Sequence, residues 1–394
     1  MAHIQHVTVK NYRVIRDVTM RDLQSLNVVL GPNGCGKSTL FDVFGFLSDC
    51  LAFGARRALE PRGRLSELRS RGKEGPIVIE LKYRESPGSL LITYHLAIDE
   101  RSDGPIISRE YLRWKRGSYG RPFNFLDISN GTGNVITGEQ PEISDTKREV
   151  TLDDPTMPAI GTLGQLAENP RIASLRRFIA GWYLSYFMPD QARLIPEAGS
   201  SEHLSRTGEN LANVVQYLDE EHPEALVAIL ERMADRIPSL ERATAERTID
   251  GRLVLRFKDG PFEDPFLSKF VSDGTLKMFA YLVLLMDPSP PPLLCVEEPE
   301  NGIHPRLLSI LADELRQHAH PRVGIQAPQV LVSSHSPFFV NALHAEELWV
   351  MQRGADGFAS VQRADRLQGV PEFLESGAAL GDLWFEGQFR RGNP

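Results

Sequence analysis

Eight consecutive residues, 31 to 38, carry the most specific chemistry in the chain, and they read Gly-Pro-Asn-Gly-Cys-Gly-Lys-Ser. They fit the pattern GxxxxGK[ST], in which glycines let consecutive backbone N–H groups turn toward phosphate oxygens. Lys37 has the charge and the length to reach nucleotide phosphates, and Ser38 offers a hydroxyl to Mg²⁺. We therefore predict a nucleotide site built from Gly31, Pro32, Asn33, Gly34, Cys35, Gly36, Lys37, Ser38 and Thr39.

Two adjacent carboxylates, Glu297 and Glu298, end the apolar run 293–296. The run resembles a Walker B strand, and in sheets of this kind ligands bind at the carboxyl ends of the strands. Glu297 would approach the Mg²⁺ shell there, while Glu298 would polarise the attacking water. Glutamate stands at 297 where aspartate is commoner, so the longer side chain would reach the metal directly or through a water.

Two polar turns complete the candidate set. Ser272, Asp273 and Gly274 open a segment of helical spacing. A serine hydroxyl, glycine amides and a helix N-terminus together make an anion site, although the same residues also form an ordinary N-cap.

His335 follows the apolar run 330–332. An imidazole there can hydrogen-bond a γ-phosphate and the attacking water, whereas a lone histidine after a strand is more often incidental.

These four motifs, in this order, resemble the RecF/SMC-like ATPases of ABC type. The resemblance is closest to the short bacterial AAA-type ATPases related to the ATPase half of OLD-family proteins. It covers residues 1–80 and 265–385, whereas the middle of the chain matches only in its helical character. It implies ATP and Mg²⁺ as cofactors, and a homodimer or higher assembly that closes on ATP.

The resemblance also implies a role for each motif. Lys37, Glu298 and His335 would be the catalytic residues, with Glu298 as the base and His335 as the switch histidine. Ser38 and Glu297 would hold Mg²⁺.

In this class the signature turn Ser272, Asp273 and Gly274 faces the γ-phosphate held by the opposite subunit. Three further positions have weaker matches. Arg13 would lie near the nucleotide or simply on a surface strand, and Gln165 would link the metal to the helical lobe. His304 recurs in the family pattern, where a structural or positioning role is the preferred reading.

The hydrophobic pattern indicates which elements position these residues. Apolar and polar residues alternate in the first thirty positions, which predicts strands. Apolar residues from Ser38 onward have helical spacing, so we expect a strand, the glycine-rich loop and a helix in that order. Residues 76–98 have the pattern of a hairpin, and short strands are expected to about residue 137. Residues 138–160 are rich in Gly, Pro and Asp and are expected to form a loop.

The second half of the chain alternates between helical and strand patterns. Residues 161–245 have helical spacing, with Pro223 between two helices, and strands are expected at 253–255, 293–296 and 330–332. We expect an α/β fold: an ABC-type P-loop NTPase head with a mixed central sheet, an antiparallel β subdomain and a helical lobe. The predicted parts are an N-terminal ATPase lobe at 1–137, a connection and helical lobe at 138–265, and a C-terminal ATPase lobe at 266–394.

Composition narrows the class of protein. The 394 residues are 41% hydrophobic and 24% charged, which is ordinary for a globular protein. Three scattered cysteines are too few for a disulfide framework, and no apolar stretch reaches the length of a membrane helix, so we expect a cytoplasmic protein without membrane contact. The net charge of −8 argues against extensive nucleic-acid binding, although the basic run 56–73 could be a local DNA-facing patch or a solvated loop.

Three hypotheses for the biological role are distinguishable. The first is the ATPase subunit of a bacterial anti-phage system, similar to Septu- or PARIS-like modules, which controls a separate effector or nuclease. The second is a RecF-like DNA-binding ATPase in DNA repair, and the third is a scaffold that binds ATP without turnover. The segment between the phosphate loop and the signature turn is too short for the coiled-coil arms of SMC proteins. No segment after His335 is long enough for a Toprim nuclease domain, so we expect any nuclease activity to come from a partner chain.

Overall fold

Our computed structural model describes residues 2–102, 104–115, 122–137, 147–234, 240–260, 262–320 and 327–389. The chain divides into two units. The first contains Met1–Trp182, Ala345–Ser376 and Gly387–Pro394, and the second contains Tyr183–His344 and Gly377–Glu386.

The first unit begins with nine strands. They are β1 His3–Tyr12, β2 Ile15–Arg21, β3 Leu26–Leu30, β4 Ile77–Arg84, β5 Ile92–Arg101, β6 Gly104–Trp114, β7 Phe123–Ser129, β8 Thr132–Val135 and β9 Arg148–Thr151. Its helices in this part are α1 Lys37–Leu59, α2 Arg64–Leu68, α3 Ala159–Leu163 and α4 Pro170–Ala180. Eight of these strands form an antiparallel sheet in the order β2-β1-β4-β5-β6-β7-β8-β9.

Strand β4 has one face that is more buried than the other. Along β4 every second residue is buried, beginning with Ile77, as expected for an antiparallel sheet with one solvated face. The predicted hairpin at 76–98 is present as β4 and β5, which pair with Ile77 opposite Ile98. The expected loop at 138–160 contains the short strand β9 instead of a loop throughout, because pairing with β8 recruits those residues; residues 138–146 lie outside the described part.

The second unit alternates helices and strands. Its elements up to residue 344 are β10 Tyr183–Ser185, α5 Pro189–Ala192, α6 Leu211–Glu221, α7 Pro223–Ala234, β11 Leu240–Arg247, β12 Leu253–Asp259, β13 Phe266–Leu267, α8 Asp273–Leu285, β14 Leu293–Glu297, α9 Pro305–Ala319, β15 Gln329–Ser334 and α10 Pro337–Val340. Strands β10, β14 and β15 are parallel neighbours. Strands β11, β12 and β13 form a separate antiparallel sheet.

The remaining elements are β16 Leu348–Arg353, β17 Ala359–Arg363 and α11 Val370–Glu375 in the first unit, and α12 Leu380–Phe385 in the second. Strand β16 runs parallel to β3 and antiparallel to β17.

The expectation of helix throughout 161–245 was wrong at two places. Strand β10 lies inside the segment because it pairs with β14, more than one hundred residues away, and local spacing carries no signal of such pairing. Strand β11 begins at Leu240. Pro223 does separate two helices, α6 and α7.

Among the described residues one helix, Lys37–Arg62, is long and apolar enough to cross a membrane by length and composition, and 61% of its apolar window is buried. Buried core helices meet the same criterion, so the helix is weak support for a membrane span.

Candidate functional site

The glycine-rich motif 31–38 forms the loop after β3 and the start of α1. All five residues of β3 are buried, and α1 begins at Lys37. Gly34 and Gly36 have φ of +78° and +116°, a region that L side chains rarely adopt. A Cβ on Gly36 would lie 2.7 Å from Val14 Cγ2 and 3.0 Å from Met351 Cε. Gly36 therefore lies close to Val14, in the turn between β1 and β2, and to Met351 on β16.

Lys37 folds back into this loop. Its Nζ donates to the Gly31 carbonyl at 2.7 Å and to the Pro32 carbonyl at 3.3 Å, and only 4% of the residue is exposed. The ammonium is thus held inside the loop, whereas Asn33 and Ser38 are exposed. Charged phosphate oxygens are stronger acceptors than these carbonyls, so an anion entering the loop would find a positioned donor.

Asp42, one turn into α1, is a charge centre that the sequence did not point to. It accepts hydrogen bonds from Tyr12 at 2.8 Å and from Arg62 at 2.8 Å, and it pairs with Arg13 at 3.3 Å. Arg13 has φ of +48° and lies in the turn between β1 and β2, not on a strand as expected. Its proposed closeness to a nucleotide stays a prediction.

In the second unit, Glu297 and Glu298 stand at the end of β14, where both are partly exposed. Glu298 has φ of +43°, which is uncommon for a residue with a side chain. Its N–H donates to the Ser333 carbonyl at 3.0 Å, and its Oε2 accepts from Asn301 Nδ2 at 3.1 Å. These contacts hold a strained backbone, which is a frequent property of functional residues.

His335 lies beside two carboxylates. Its Nδ1 is 3.7 Å from Glu298 Oε1 and 3.2 Å from Glu300 Oε1. The second unit therefore brings together the predicted base and the predicted switch histidine. We call Glu298, Glu300 and His335 the carboxylate–histidine cluster.

The signature turn caps α8. Ser272 Oγ accepts from the Thr275 N–H at 3.2 Å, so the N-cap reading is correct. Arg193 fixes the turn from outside, since it donates to the Val271 carbonyl at 2.8 Å and to Asp273 Oδ1 at 2.5 Å. Ser272 and Asp273 remain exposed. The turn is thus rigid and accessible, and sequence reasoning had not identified Arg193.

Two weaker candidates have local structural roles. His304 is the N-cap of α9, where its Nδ1 accepts from the Arg306 N–H at 3.3 Å. Gln165 is exposed just after α3 and donates to the Gly161 carbonyl at 2.9 Å. A link from Gln165 to a metal stays a prediction.

The basic run 56–73 is largely helical rather than a loop, because α1 continues through Arg57 and α2 covers Arg64–Leu68. Part of its charge is neutralised within the unit: Arg62 pairs with Asp42 and Asp49, Arg69 with Asp99, and Arg71 with Glu67. The run therefore presents less unpaired positive charge than its composition indicates.

The predicted magnesium ligands have suitable chemistry. Ser38 offers a hydroxyl oxygen and Glu297 a carboxylate oxygen, and Mg²⁺ takes hard oxygen ligands, typically one or two from protein and the rest from phosphates and water. Within the described ranges no group of three or more His, Cys, Asp or Glu side chains could hold a metal by itself.

A protein family and several solved structures are similar to this chain. The profile of the family described as "AAA domain, putative AbiEii toxin, Type IV TA system" matches residues 26–102 and 140–341, more than half of the chain. A structure described as the SmcHead bound to the C-winged helix domain of ScpA has a TM-score of 0.55 at 13% identity, covering 91% of this chain and 97% of its own. No curated protein gives a significant match.

A second structure, an Smc head domain with an extended coiled coil bound to the C-terminal domain of ScpA, derived from Pyrococcus furiosus, has a TM-score of 0.53 at 11% identity. It covers 95% of this chain and 100% of its own. At such identities the likeness concerns the fold alone. The fold prediction, an α/β head of ABC type, is confirmed.

Proposed function

The chain belongs to the AAA-domain family just described, with an SMC-like P-loop ATPase fold, and from this premise we propose that it is a magnesium-dependent ATPase working as a nucleotide-switched dimer. The phosphate loop carries the proposal. Lys37 Nζ is buried and held 2.7 Å from the Gly31 carbonyl. A buried ammonium held inside a glycine-rich loop is suited to bind a phosphate anion that enters the loop.

Hydrolysis needs a base, and Glu298 is the best candidate. It is partly exposed, and Asn301 orients one of its carboxylate oxygens. Glu298 would accept a proton from the attacking water, and His335 would contact the γ-phosphate. ATP supplies the phosphoryl group, Mg²⁺ would neutralise its developing charge, and Ser38 and Glu297 would hold that metal.

We propose further that the exposed signature turn, Ser272 to Gly274, completes the site of a second copy. Arg193 keeps this turn in one conformation, which reduces the entropy lost on docking. The related Smc heads are seen bound to parts of ScpA. By analogy, we propose that this chain binds a separate effector or nuclease in anti-phage defence. The description of the matching family names a toxin of a toxin–antitoxin system.

Mass photometry of the Glu298→Gln protein, with and without Mg-ATP, tests the switch. Glutamine keeps the size of the side chain but cannot act as a base, so the variant should bind ATP and accumulate as a closed dimer. Glu231→Gln, an exposed glutamate on α7, is the matched control and should hydrolyse ATP normally. Normal turnover by Glu298→Gln would rule out Glu298 as the base.

The same measurement is then repeated with the products of neighbouring genes. Recruitment of a neighbour only in the ATP-bound state supports control of a separate effector. ATP-dependent dimers that bind no neighbour would count against the defence role while leaving the ATPase proposal intact.

A further inference from the structure

Glu300 is the most buried member of the carboxylate–histidine cluster, and neither base nor metal chemistry uses it. Its side chain is 5% exposed. One oxygen, Oε1, accepts from Ser334 Oγ at 2.9 Å and from the His335 N–H at 2.7 Å. The same oxygen is 3.2 Å from His335 Nδ1. A single buried carboxylate oxygen therefore contacts both the backbone and the ring of the switch histidine.

Helix α8 provides the surroundings of this carboxylate. Lys277 and Tyr281, one turn apart on α8, are 5% and 2% exposed. Burial lowers the pKa of Lys277, and the negative charges of Glu300, Asp273 and Glu298 oppose that shift. Within the described residues, Glu300 Oε2 and the Tyr281 hydroxyl are buried without a hydrogen bond. The carboxylate thus has a nearby positive charge and an uncommitted oxygen.

The Nδ1 atom of His335 faces Glu300 without a hydrogen bond. Its Nδ1 is buried and makes no hydrogen bond of accepted geometry among the described residues, despite the 3.2 Å separation from Glu300. Such contacts commonly tighten only in a reactive complex. A histidine whose one nitrogen donates to a carboxylate has its tautomer fixed and its other nitrogen left for the substrate.

We propose that Glu300 is a positioning residue for His335: its carboxylate accepts the Nδ1–H and leaves Nε2 as the atom available to the nucleotide. This inference rests on the proposed ATPase function, but the tautomer belongs to the protein alone. Lys277, which feels the charge of Glu300, and the Ser272 cap lie on the same helix, α8.

The test is long-range ¹H–¹⁵N NMR of ¹⁵N-histidine-labelled protein without nucleotide, with His335 assigned by comparison with His335→Gln. We expect the Nδ1–H tautomer to predominate in the wild-type protein and the Nε2–H tautomer in Glu300→Gln. Glutamine preserves an acceptor for Ser334 and the backbone but removes the charge. If Glu300→Gln does not fold, Glu300→Asp, which withdraws the carboxylate by one methylene, is used instead. Glu231→Gln is the control.

ATPase kinetics supply the second readout. Loss of a fixed orientation should lower kcat about 10- to 100-fold and leave the KM for ATP within about threefold, since the phosphate loop that would bind most of the nucleotide is unchanged. An unchanged tautomer in the Glu300 variant overturns the proposal, and so does a changed tautomer with wild-type kcat. A wild-type protein without ATPase activity would instead contradict the proposed function, and the tautomer measurement would still decide the role of Glu300.

Discussion

At the scale of single residues, the chemistry depends on a few charges held in fixed places. Lys37 lies inside its loop, and Glu298 and His335 lie 3.7 Å apart at their closest atoms. These positions follow from backbone features that few residue types permit: the positive φ at Gly36 and the uncommon φ at Glu298. Charge and backbone geometry therefore have to be tested separately.

Replacing Lys37 with alanine tests the charge. Removal of the ammonium deletes the charged contact to phosphate, worth about 1.5 to 3 kcal/mol, and should weaken ATP binding roughly 10- to 150-fold. Titration with a fluorescent ATP analogue measures this. Lys73→Ala, an exposed lysine of the basic run, serves as the control and should bind like wild type. Equal affinity for Lys37→Ala and wild type would mean that nucleotide does not enter this loop.

At the scale of elements, short contacts between segments hold the site residues in place. The phosphate loop is packed against Val14 and Met351, and the signature turn is held by Arg193. In the antiparallel sheet, Glu110 of β6 is fully buried and accepts from the N–H groups of Ala159 and Ile160 at 2.5 and 3.1 Å. Each of these contacts joins segments far apart in the chain.

A pair of glycine substitutions tests the packing of the loop. Gly34→Ala and Gly36→Ala both place a side chain at positive φ, which costs about 1 to 2 kcal/mol. At Gly34 an added Cβ meets nothing within 4 Å, whereas at Gly36 it lies 2.7 Å from Val14. We expect Gly36→Ala to lower the midpoint of chemical denaturation clearly more than Gly34→Ala. Equal shifts would show that the close packing adds nothing to the backbone cost.

Glu110 gives the stability of the first unit a pH dependence. Burial raises the pKa of Glu110 to about 7. The hydrogen bonds that its carboxylate accepts lower the pKa, but their effect is smaller than that of burial. The folded protein therefore holds this proton at pH values where the unfolded chain releases it. The contribution of Glu110 to the free energy of unfolding should fall as pH rises from about 4.5 to about 7, by on the order of 3 kcal/mol in total.

Denaturation of Glu110→Gln across this pH range checks the effect. Glutamine does not titrate, so the stability of the variant should decline less steeply between pH 4.5 and 7 than that of wild type. Glu100→Gln, at an exposed position on β5, should retain the wild-type slope. Identical slopes for Glu110→Gln and wild type would contradict a raised pKa.

At the scale of the whole molecule, function depends on a second copy in the proposed dimer. Ser272→Arg places a bulky side chain at the exposed signature turn, and Lys37→Ala disables the phosphate loop. Each variant alone should be inactive. In a two-fold dimer, mixing them creates one complete site in each mixed dimer, so about a quarter of wild-type ATPase activity should return. An ATPase assay of the mixture measures this recovery.

The outcome separates two arrangements. If Ser272→Arg hydrolyses ATP alone at the wild-type rate, the site is not shared between subunits. If both variants are inactive and the mixture stays inactive although subunits exchange, each site lies within one chain.

The parts of the site whose chemistry is local could be predicted from the amino-acid sequence alone. A glycine-rich loop between a buried strand and a helix, and carboxylates at the end of an apolar run, are short patterns, and β3, α1 and β14 lie where those patterns place them. The α/β class followed from the same periodicities. These features depend on residues close together in the chain, so a single sequence contains the necessary information.

Contacts between residues far apart in the chain are seen only in the folded structure. Strand β10 forms because it pairs with β14, Arg193 reaches the signature turn, and Glu300 meets His335 from a different loop. Asp42 likewise accepts hydrogen bonds from Tyr12 and Arg62. The packing of the whole chain determines which side chains come into contact. Burial removes water from a charged group, and this is costly unless the group is paired. Spacing along the sequence does not encode those meetings, and for that reason Glu300 becomes visible only in the folded protein.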